Sequence, residues 1–526
     1  MKTVVMSAVL AAWALAPAEA AAQEADGPAF MEDAVCYALP LALEPALRDR
    51  FCDATTGQLP LTERLGRLEA VIGELPASNP ASAMARAMKA QILVALGRRD
   101  EALADIRATM RAFPRLPVLW IGAIEVFAFT EHAGAAADFW IELADFNPAA
   151  ARAIEDYYWI TLGPQLGSTG QWAKEKELAA ALESIGYDGG SEAGRSLLAE
   201  VLFHAAMERG NLAGARVQLE RISDPDSLLD ILRNQRLSAV WEQNPWSDPS
   251  RRAPILRRWV DDLGRAATAD GLQAGIFIRT VASHAGPDQV TAVYEPVLRA
   301  QMAKGAAGLE DFDFSFWLSP LATAHVIAGR PERADALYRD AVGYFATLDS
   351  PVRLNATSNY ALFLQRQGRN AEAVPLIDES IEALDAAGGI NGALLQMHAV
   401  RVLALEGLGR SREAEESLRV LAANRTVSFP SYVDTLLALG RYREARTALV
   451  EILEGNNYML GVRLLQPSFA AFESPFDRDV RERRTRLAQD RRVRRALQGK
   501  GRVLGYEPVR LDPIALPDLA PGLLPD

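Results

Sequence analysis

The stretch "LGRYREARTALVEIL", residues 439–453, is the third near-copy of one phrase; "LGRSREAEESL" stands at 408–418 and "LGRRDEAL" at 96–103. With the glycine of each phrase as an anchor, six positions align: Gly97, Gly210, Gly329, Gly368, Gly409 and Gly440. Five residues on, each is followed by alanine (Ala102, Ala215, Ala334, Ala373, Ala414, Ala445), and nine residues on by a large apolar side chain (Ile106, Leu219, Tyr338, Ile377, Leu418, Leu449). Seven residues before stand Ala90, Phe203, Ala322, Ala361, Val402 and Val433. Five of the six anchors are followed directly by Arg. The physical reading is a helical hairpin. One helix ends, glycine takes the left-handed conformation that costs a side chain sterically, and a second helix starts a few residues later. Alanine near the start of the second helix allows close approach of the two backbones. The large residue one turn further lies on the same face and fills the space between them.

The anchors from 329 to 440 are 39, 41 and 31 residues apart, and weaker glycines at 134 and 170 divide the interval from 97 to 210 into steps of 37, 36 and 40. Gly286 falls 43 before Gly329. Two helices per step of that length are the pattern of a helical solenoid. These segments resemble tetratricopeptide repeats (TPRs), most clearly "NATSNYALFLQRQGRNAEAVPLIDESIEAL" at 355–384, in which Gly368, Ala373 and Ile377 match the family's turn and second-helix positions. The departures are Thr357, where family repeats often carry an aromatic, a mostly missing terminal Pro, and spacing looser than the family's. The expected fold is an all-α, right-handed α-solenoid of TPR-like helix-turn-helix repeats. The resemblance implies a protein or peptide partner held on the concave face.

Apolar residues make up 49% of the 526 residues and charged residues 24%, enough for a packed core. The formal net charge of −12 argues against nucleic acid as the main partner, because phosphate binding needs a basic surface. The opening "MKTVVMSAVLAAWALAPAEAAAQEA" has a positive start at Lys2, an apolar stretch at 4–16 and small residues at 18–22, the form of a secretory signal peptide. The alternative is an uncleaved anchor, for which the apolar run is short. Export predicts a periplasmic or secreted protein. Cys36 and Cys52 are the only cysteines, and in an oxidising compartment they are expected to pair. A disulfide closing so short a loop would stabilise by about 3 kcal/mol. Two buried thiols are the alternative.

The expected organisation is a signal peptide at 1–22, a helical N-terminal cap at 27–75, a first repeat block at 80–220, irregular helical repeats at 221–310, a second block at 312–455, basic capping helices at 463–502 and a Pro-rich tail at 503–526. "SDPDSLLD" and "EQNPWSDPS", at 223–230 and 242–250, mark the irregularity. "PSFAAFESPF" at 467–476 resembles the segment whose aromatics plug the last groove of TPR regions, and the tail is either an extended strap or loose.

Chemistry-bearing patterns are absent from the sequence. The five histidines (His132, His204, His284, His325, His398) form no metal-binding pair, and no nucleophile elbow or phosphate loop is found. No catalytic, cofactor-binding or metal-binding residue is expected, and the protein is read as a non-enzyme. One enzymatic alternative is a glycan-handling protein of lytic-transglycosylase type with Glu473-Ser474 as its acid site, although that family's Gly-Leu-Met-Gln run is missing. The candidate partner-binding residues are aromatic: Tyr157, Tyr158 and Trp159 in "DYYWI", and Phe312, Phe314, Phe316 and Trp317 in "DFDFSFW". In the second stretch Asp311 and Asp313 alternate with Phe, which one helical face cannot fully bury. The alternative is that such residues fill irregular cores. Residues 478–502 hold eleven basic and three acidic side chains, among them Arg483, Arg484, Arg486, Arg491, Arg492, Arg494 and Arg495. Such a segment suits an anionic membrane surface or an acidic partner, or else is an end-cap helix with paired charges.

Overall fold

The structure, a computed structural model, describes residues 45–514 and 516, apart from 56–58, 77–78, 129, 131, 268–270, 305–313, 347–351 and 387–391. The signal segment, Cys36, Asp311, Phe312 and Asp313 therefore lie outside the described residues. Cys52 is half-buried on the first helix. The chain divides between Arg221 and Ile222 into two compact units. Among the described residues none lies in a named strand, and no helix is long and apolar enough to cross a membrane.

The first unit is a succession of antiparallel pairs: α1 (Pro45–Thr55) with α2 (Leu61–Glu74), α3 (Pro80–Ala95) with α4 (Arg99–Ala112), and α5 (Pro117–Phe127) with α6 (Ala133–Phe146). A short α7 (Pro148–Arg152) then precedes α8 (Asp156–Ser168) with α9 (Trp172–Ser184) and α10 (Glu192–Glu208) with α11 (Leu212–Leu219).

The second unit opens irregularly. Asp224 caps α12 (Pro225–Arg233) through the Ser227 amide, and Asn234 and Asn244 cap short 3-10 turns at Gln235–Val240 and Pro245–Ser247. Regular packing resumes with α13 (Pro249–Ala267), α14 (Gly271–His284) and α15 (Pro287–Ala303). After a 3-10 turn at Phe314–Trp317 come the pairs α16 (Leu318–Ile327) with α17 (Pro331–Ala346), α18 (Val352–Arg366) with α19 (Asn370–Ala386), α20 (Gly392–Gly407) with α21 (Ser411–Ala423), and α22 (Phe429–Ala438) with α23 (Tyr442–Glu454). Three further helices follow, α24 (Tyr458–Leu464), α25 (Pro475–Ala488) and α26 (Arg491–Leu497).

The repeated phrase is the bend inside a pair. All six anchor glycines have φ between 69° and 77°. The residue after each closes the preceding helix from outside: Arg98 N–H donates to Leu93 C=O at 2.8 Å, and Arg369 N–H to Leu364 C=O at 2.9 Å. The alanines five residues on and the large residues nine on are all buried, as are the six apolar residues seven before. Gly134 is different. It lies in the first turn of α6 and is not left-handed, so the even step drawn through Gly134 is corrected.

The Pro-rich tail is a strap as far as Ile514. Arg502 N–H donates to Arg233 C=O (2.9 Å), Leu511 N–H to His284 C=O (2.9 Å) and Ile514 N–H to the Gln289 side chain (3.2 Å). Ala470 bridges Val509 in parallel. The tail thereby joins the end of the second unit to its irregular beginning. Two aromatics of 467–476 join the same seam: Phe469 stacks on His284 at 5.3 Å and meets Trp246 edge-on, and Phe472 lies beside Gly286; the third, Phe476, lies over Arg366 of α18.

The candidate functional site: an inner face with a resident helix

In the second unit the first helices of successive pairs, α14, α16, α18, α20 and α22, pack side by side and form one layer. Their surface is set by position relative to the anchors. Six, three and two residues before an anchor share one helical face, and across three pairs those positions include Gln365, Leu403, Glu406, Gly407, Asp434, Leu437 and Ala438. Together they line a cleft of ≈ 310 Å³ whose outer wall is Phe476, Asp479, Val480 and Arg483 of α25. Leu403 and Leu437 supply apolar floor, and Glu406 and Asp434 supply negative charge.

A second cleft of ≈ 240 Å³ lies on α18, α19 and α20, lined by Leu354, Asn355, Ser358, Asn359, Leu384, Ala393, Gln396 and Met397. Asn355 and Gln396 stand at matching positions, thirteen before their anchors, and both are exposed. Asn359 donates to Asn355 Oδ1 at 2.8 Å, which leaves the Asn355 amide group outward as a donor. This cleft is uncharged, a mostly apolar surface carrying three side-chain amides and one hydroxyl. It can hydrogen-bond an extended peptide backbone.

The aromatic candidates divide by burial. Tyr157 (38% exposed) and Phe316 (38%) reach the surface, whereas Tyr158, Trp159 and Trp317 are buried. Trp159 donates its indole N–H to Gly194 C=O at 3.1 Å, and Trp317 packs edge-on against Tyr294 at 5.8 Å. These three are core residues, which corrects their assignment to a binding surface. Phe314 opens the 3-10 turn. Trp120, Trp140 and Trp246 are likewise buried, whereas Trp172 is exposed.

The basic segment also divides. Arg483 donates to Leu437 C=O at 3.0 Å, and Arg484 makes a two-pronged pair with Asp434, Nε to Oδ1 at 2.8 Å. Arg486, Arg491, Arg492, Arg494 and Arg495 are exposed, held out by Leu487, Val493, Ala496 and Leu497 on the buried side. Glu473, the acid of the glycan-cleaving alternative, accepts from Arg481 Nε at 3.1 Å, and Ser474 caps α25 by accepting from the Asp477 amide at 3.1 Å. Both residues serve the helix start.

Sequence reasoning missed the lining residues Gln365, Glu406, Asp434, Asn355 and Gln396. Their offsets from the turn glycines place them on one face, but the same offsets carry Leu362, Leu403 and Leu437, so the letters alone do not mark them as a surface.

No protein-family model matches the chain. A search of curated proteins returns no match. Among solved structures, the crystal structure of the P58(IPK) TPR domain is similar at 13% identity over 85% of this chain and 100% of that one, with a TM-score of 0.18. At that TM-score the fold rests on the hairpins themselves, with their left-handed glycines, buried alanines and side-by-side first helices. The chain is an all-α solenoid of TPR-like helical hairpins.

Proposed function

We propose that the protein is exported, to the periplasm or beyond, and works there as a scaffold that binds a protein or peptide on the inner face of its repeats, in assembly of the cell envelope rather than as an enzyme. The observation that carries the reading is the open cleft of Asn355, Ser358, Asn359 and Gln396, where exposed amides of two adjacent first helices stand above an apolar floor. Amide side chains pair with peptide N–H and C=O groups irrespective of sequence, while the floor takes a side chain. The N-terminal pattern of Lys2, an apolar run and small residues supports export.

The test places a photo-crosslinking residue at position 355 or 396 of the full chain in its native host, with attached proteins identified by mass spectrometry. A reproducible partner, lost when the other amide is replaced by alanine (Q396A with the crosslinker at 355, N355A with it at 396), is the expected result. Crosslinks that reach only glycan or lipid sink the reading.

A second reading has its own observation. Five exposed arginines at the end of α25 and on α26 form a surface suited to anionic lipid headgroups. Binding to vesicles containing anionic lipid, abolished by salt and by charge removal at Arg491, Arg492, Arg494 and Arg495, supports it; equal binding to neutral vesicles rejects it.

A further inference from the structure

Helix α25 crosses the inner layer of its own repeat block. Near its start, Phe476 lies against the Arg366 guanidinium of α18, 4.1 Å from carbon to ring centroid. Two turns later Arg483 and Arg484 grip Leu437 and Asp434 of α22, with α20 between them. The attachment is of an unusual kind for this molecule. Hairpins elsewhere meet through buried alanine, leucine and isoleucine. Of the fourteen residues of α25, only Leu487 is buried, close to the helix end. The rest of the contact is a cation–π pair, an ion pair and one hydrogen bond. A cleft of ≈ 310 Å³ stays unfilled between Gln365, Leu403 and Glu406 below and Phe476, Val480 and Arg483 above. Polar contact over an unfilled floor is the anatomy of an exchangeable interface, and segments with few buried apolar contacts are the first to open.

The flanks are held independently of that contact. Phe469 is stacked on His284 upstream, and Val493, Ala496 and Leu497 are buried downstream. Loss of the α25 contact therefore leaves the helix tethered at both ends. Charge is complementary at one point of the contact. The helix bears five arginines (Arg478, Arg481, Arg483, Arg484, Arg486) against Asp477, Asp479 and Glu482; the matched contact is Arg484 on Asp434, while Asp479 shares the cleft with Glu406.

We propose that the inner face of α18, α20 and α22 is a docking groove for an arginine-rich amphipathic helix led by an aromatic residue. Residues 475–488 are its resident occupant, and a protein partner that presents such a helix engages the groove by displacing them. The inference rests on the inner face being the binding surface and narrows the partner to this chemistry.

The test uses the full chain and a fluorescent synthetic peptide of residues 472–490. In the unsubstituted protein the tethered occupant competes at an effective concentration on the order of millimolar, so added peptide binds weakly. Combined F476A and R484A substitution weakens the occupant and leaves the groove intact. The expected result is at least ~tenfold tighter peptide binding, with faster amide hydrogen exchange in 475–488 and unchanged exchange in 429–438. Peptide carrying the same two substitutions is expected not to bind. Free exchange of 475–488 without peptide binding overturns the proposal, as does a helix that stays protected. Should that variant fail to fold, D434R alone and D434R with R484D provide the second reading. Restored protection of 475–488 in the charge-swapped pair is expected, and no restoration overturns the proposal. This assay needs no outside partner, so a negative crosslinking result at position 355 retracts the scaffold reading and leaves the pairing of groove and helix to be judged on its own.

Discussion

Arg369 ties two consecutive hairpins together through one guanidinium. Its Nη1 donates to Asp335 on the preceding second helix at 2.6 Å, while Nε and Nη2 hold Glu372 in its own helix at 2.7 and 2.6 Å. Arg441 repeats the arrangement with Glu415 (2.9 Å) and Glu444, and Arg330 reaches back to Asp288 (2.7 Å). Asp335 and Glu415 both stand six residues after an anchor. At the equivalent place before Arg410 stands Val374, and Arg410 donates its hydrogen bonds to Glu413, in its own helix, with Asp378 acting on it through charge alone. The arginine of the recurrent phrase thus has two tasks, bracing the start of its own helix and fixing the register of the next pair.

Replacement of Arg369 by alanine removes both tasks at a partly exposed site. The expected cost is about 1 kcal/mol, because exposed ion pairs contribute little singly and bidentate geometry adds to them. Urea unfolding of R369A, D335A and the double variant measures the coupling, expected at about 0.5–1 kcal/mol and smaller in high salt. A coupling of zero would mean that the two side chains are neighbours without consequence.

Two glycines give a matched contrast. Gly368 has φ of 72° and Gly343 lies within α17, and a Cβ at either meets no atom within 4 Å. Only backbone conformation separates them. Gly368→Ala is expected to destabilise by about 1–2 kcal/mol, and Gly343→Ala to stabilise by about 0.5–1 kcal/mol. Thermal unfolding midpoints moving in opposite directions confirm the reading; a common direction refutes it.

Adjacent aromatics differ in the same informative way. Trp317 is fully buried against Tyr294 and Phe316 is 38% exposed. Trp317→Ala is expected to cost about 3–5 kcal/mol, whereas Phe316→Ala changes stability by less than about 1 kcal/mol. Both are read from denaturant midpoints of the second unit. Near-equal losses would show that Phe316 also packs within the fold.

The repeat architecture was legible because it depends on local constraints. A left-handed turn requires glycine, close helix approach requires alanine, and each leaves a mark at a fixed offset. Gly134 misled because glycine is also tolerated in the first turn of a helix. The aromatic candidates failed at Tyr158, Trp159 and Trp317 because a large side chain serves equally in a groove or in an irregular core, and the surrounding letters do not say which. The place of α25 was hidden for a related reason. Its arginines announce a polar helix, but the acidic partner Asp434 lies fifty residues away on another hairpin and becomes visible only in three dimensions. The tail was open between strap and loose chain, since prolines forbid a helix without choosing a docking surface.

A final prediction concerns Glu175 in the first unit. It lies on α9, only 6% exposed. Burial first, and then the nearby Glu200 carboxylate of α10, push its pKa up to about 7, with Lys176 opposing them. His204, one turn beyond Glu200 and 3.9 Å from it, and the Lys176–Glu208 ion pair complete the charged surroundings. The sign follows from linkage. A carboxyl whose folded pKa lies above its unfolded value is favoured in its neutral form by the fold, so its contribution is complete below about pH 4.5 and is lost as pH rises through about 7. Between pH 5 and 8 the first unit is therefore expected to lose on the order of 2–3 kcal/mol from this group. Glu175→Gln holds the neutral shape at every pH, so its denaturation midpoint should vary less over that range and exceed that of the unsubstituted protein at pH 8. His204→Gln removes the imidazole beside Glu200 and serves as the control. If the slope survives Glu175→Gln and vanishes with His204→Gln, the histidine and not the buried carboxyl sets the pH response of this unit.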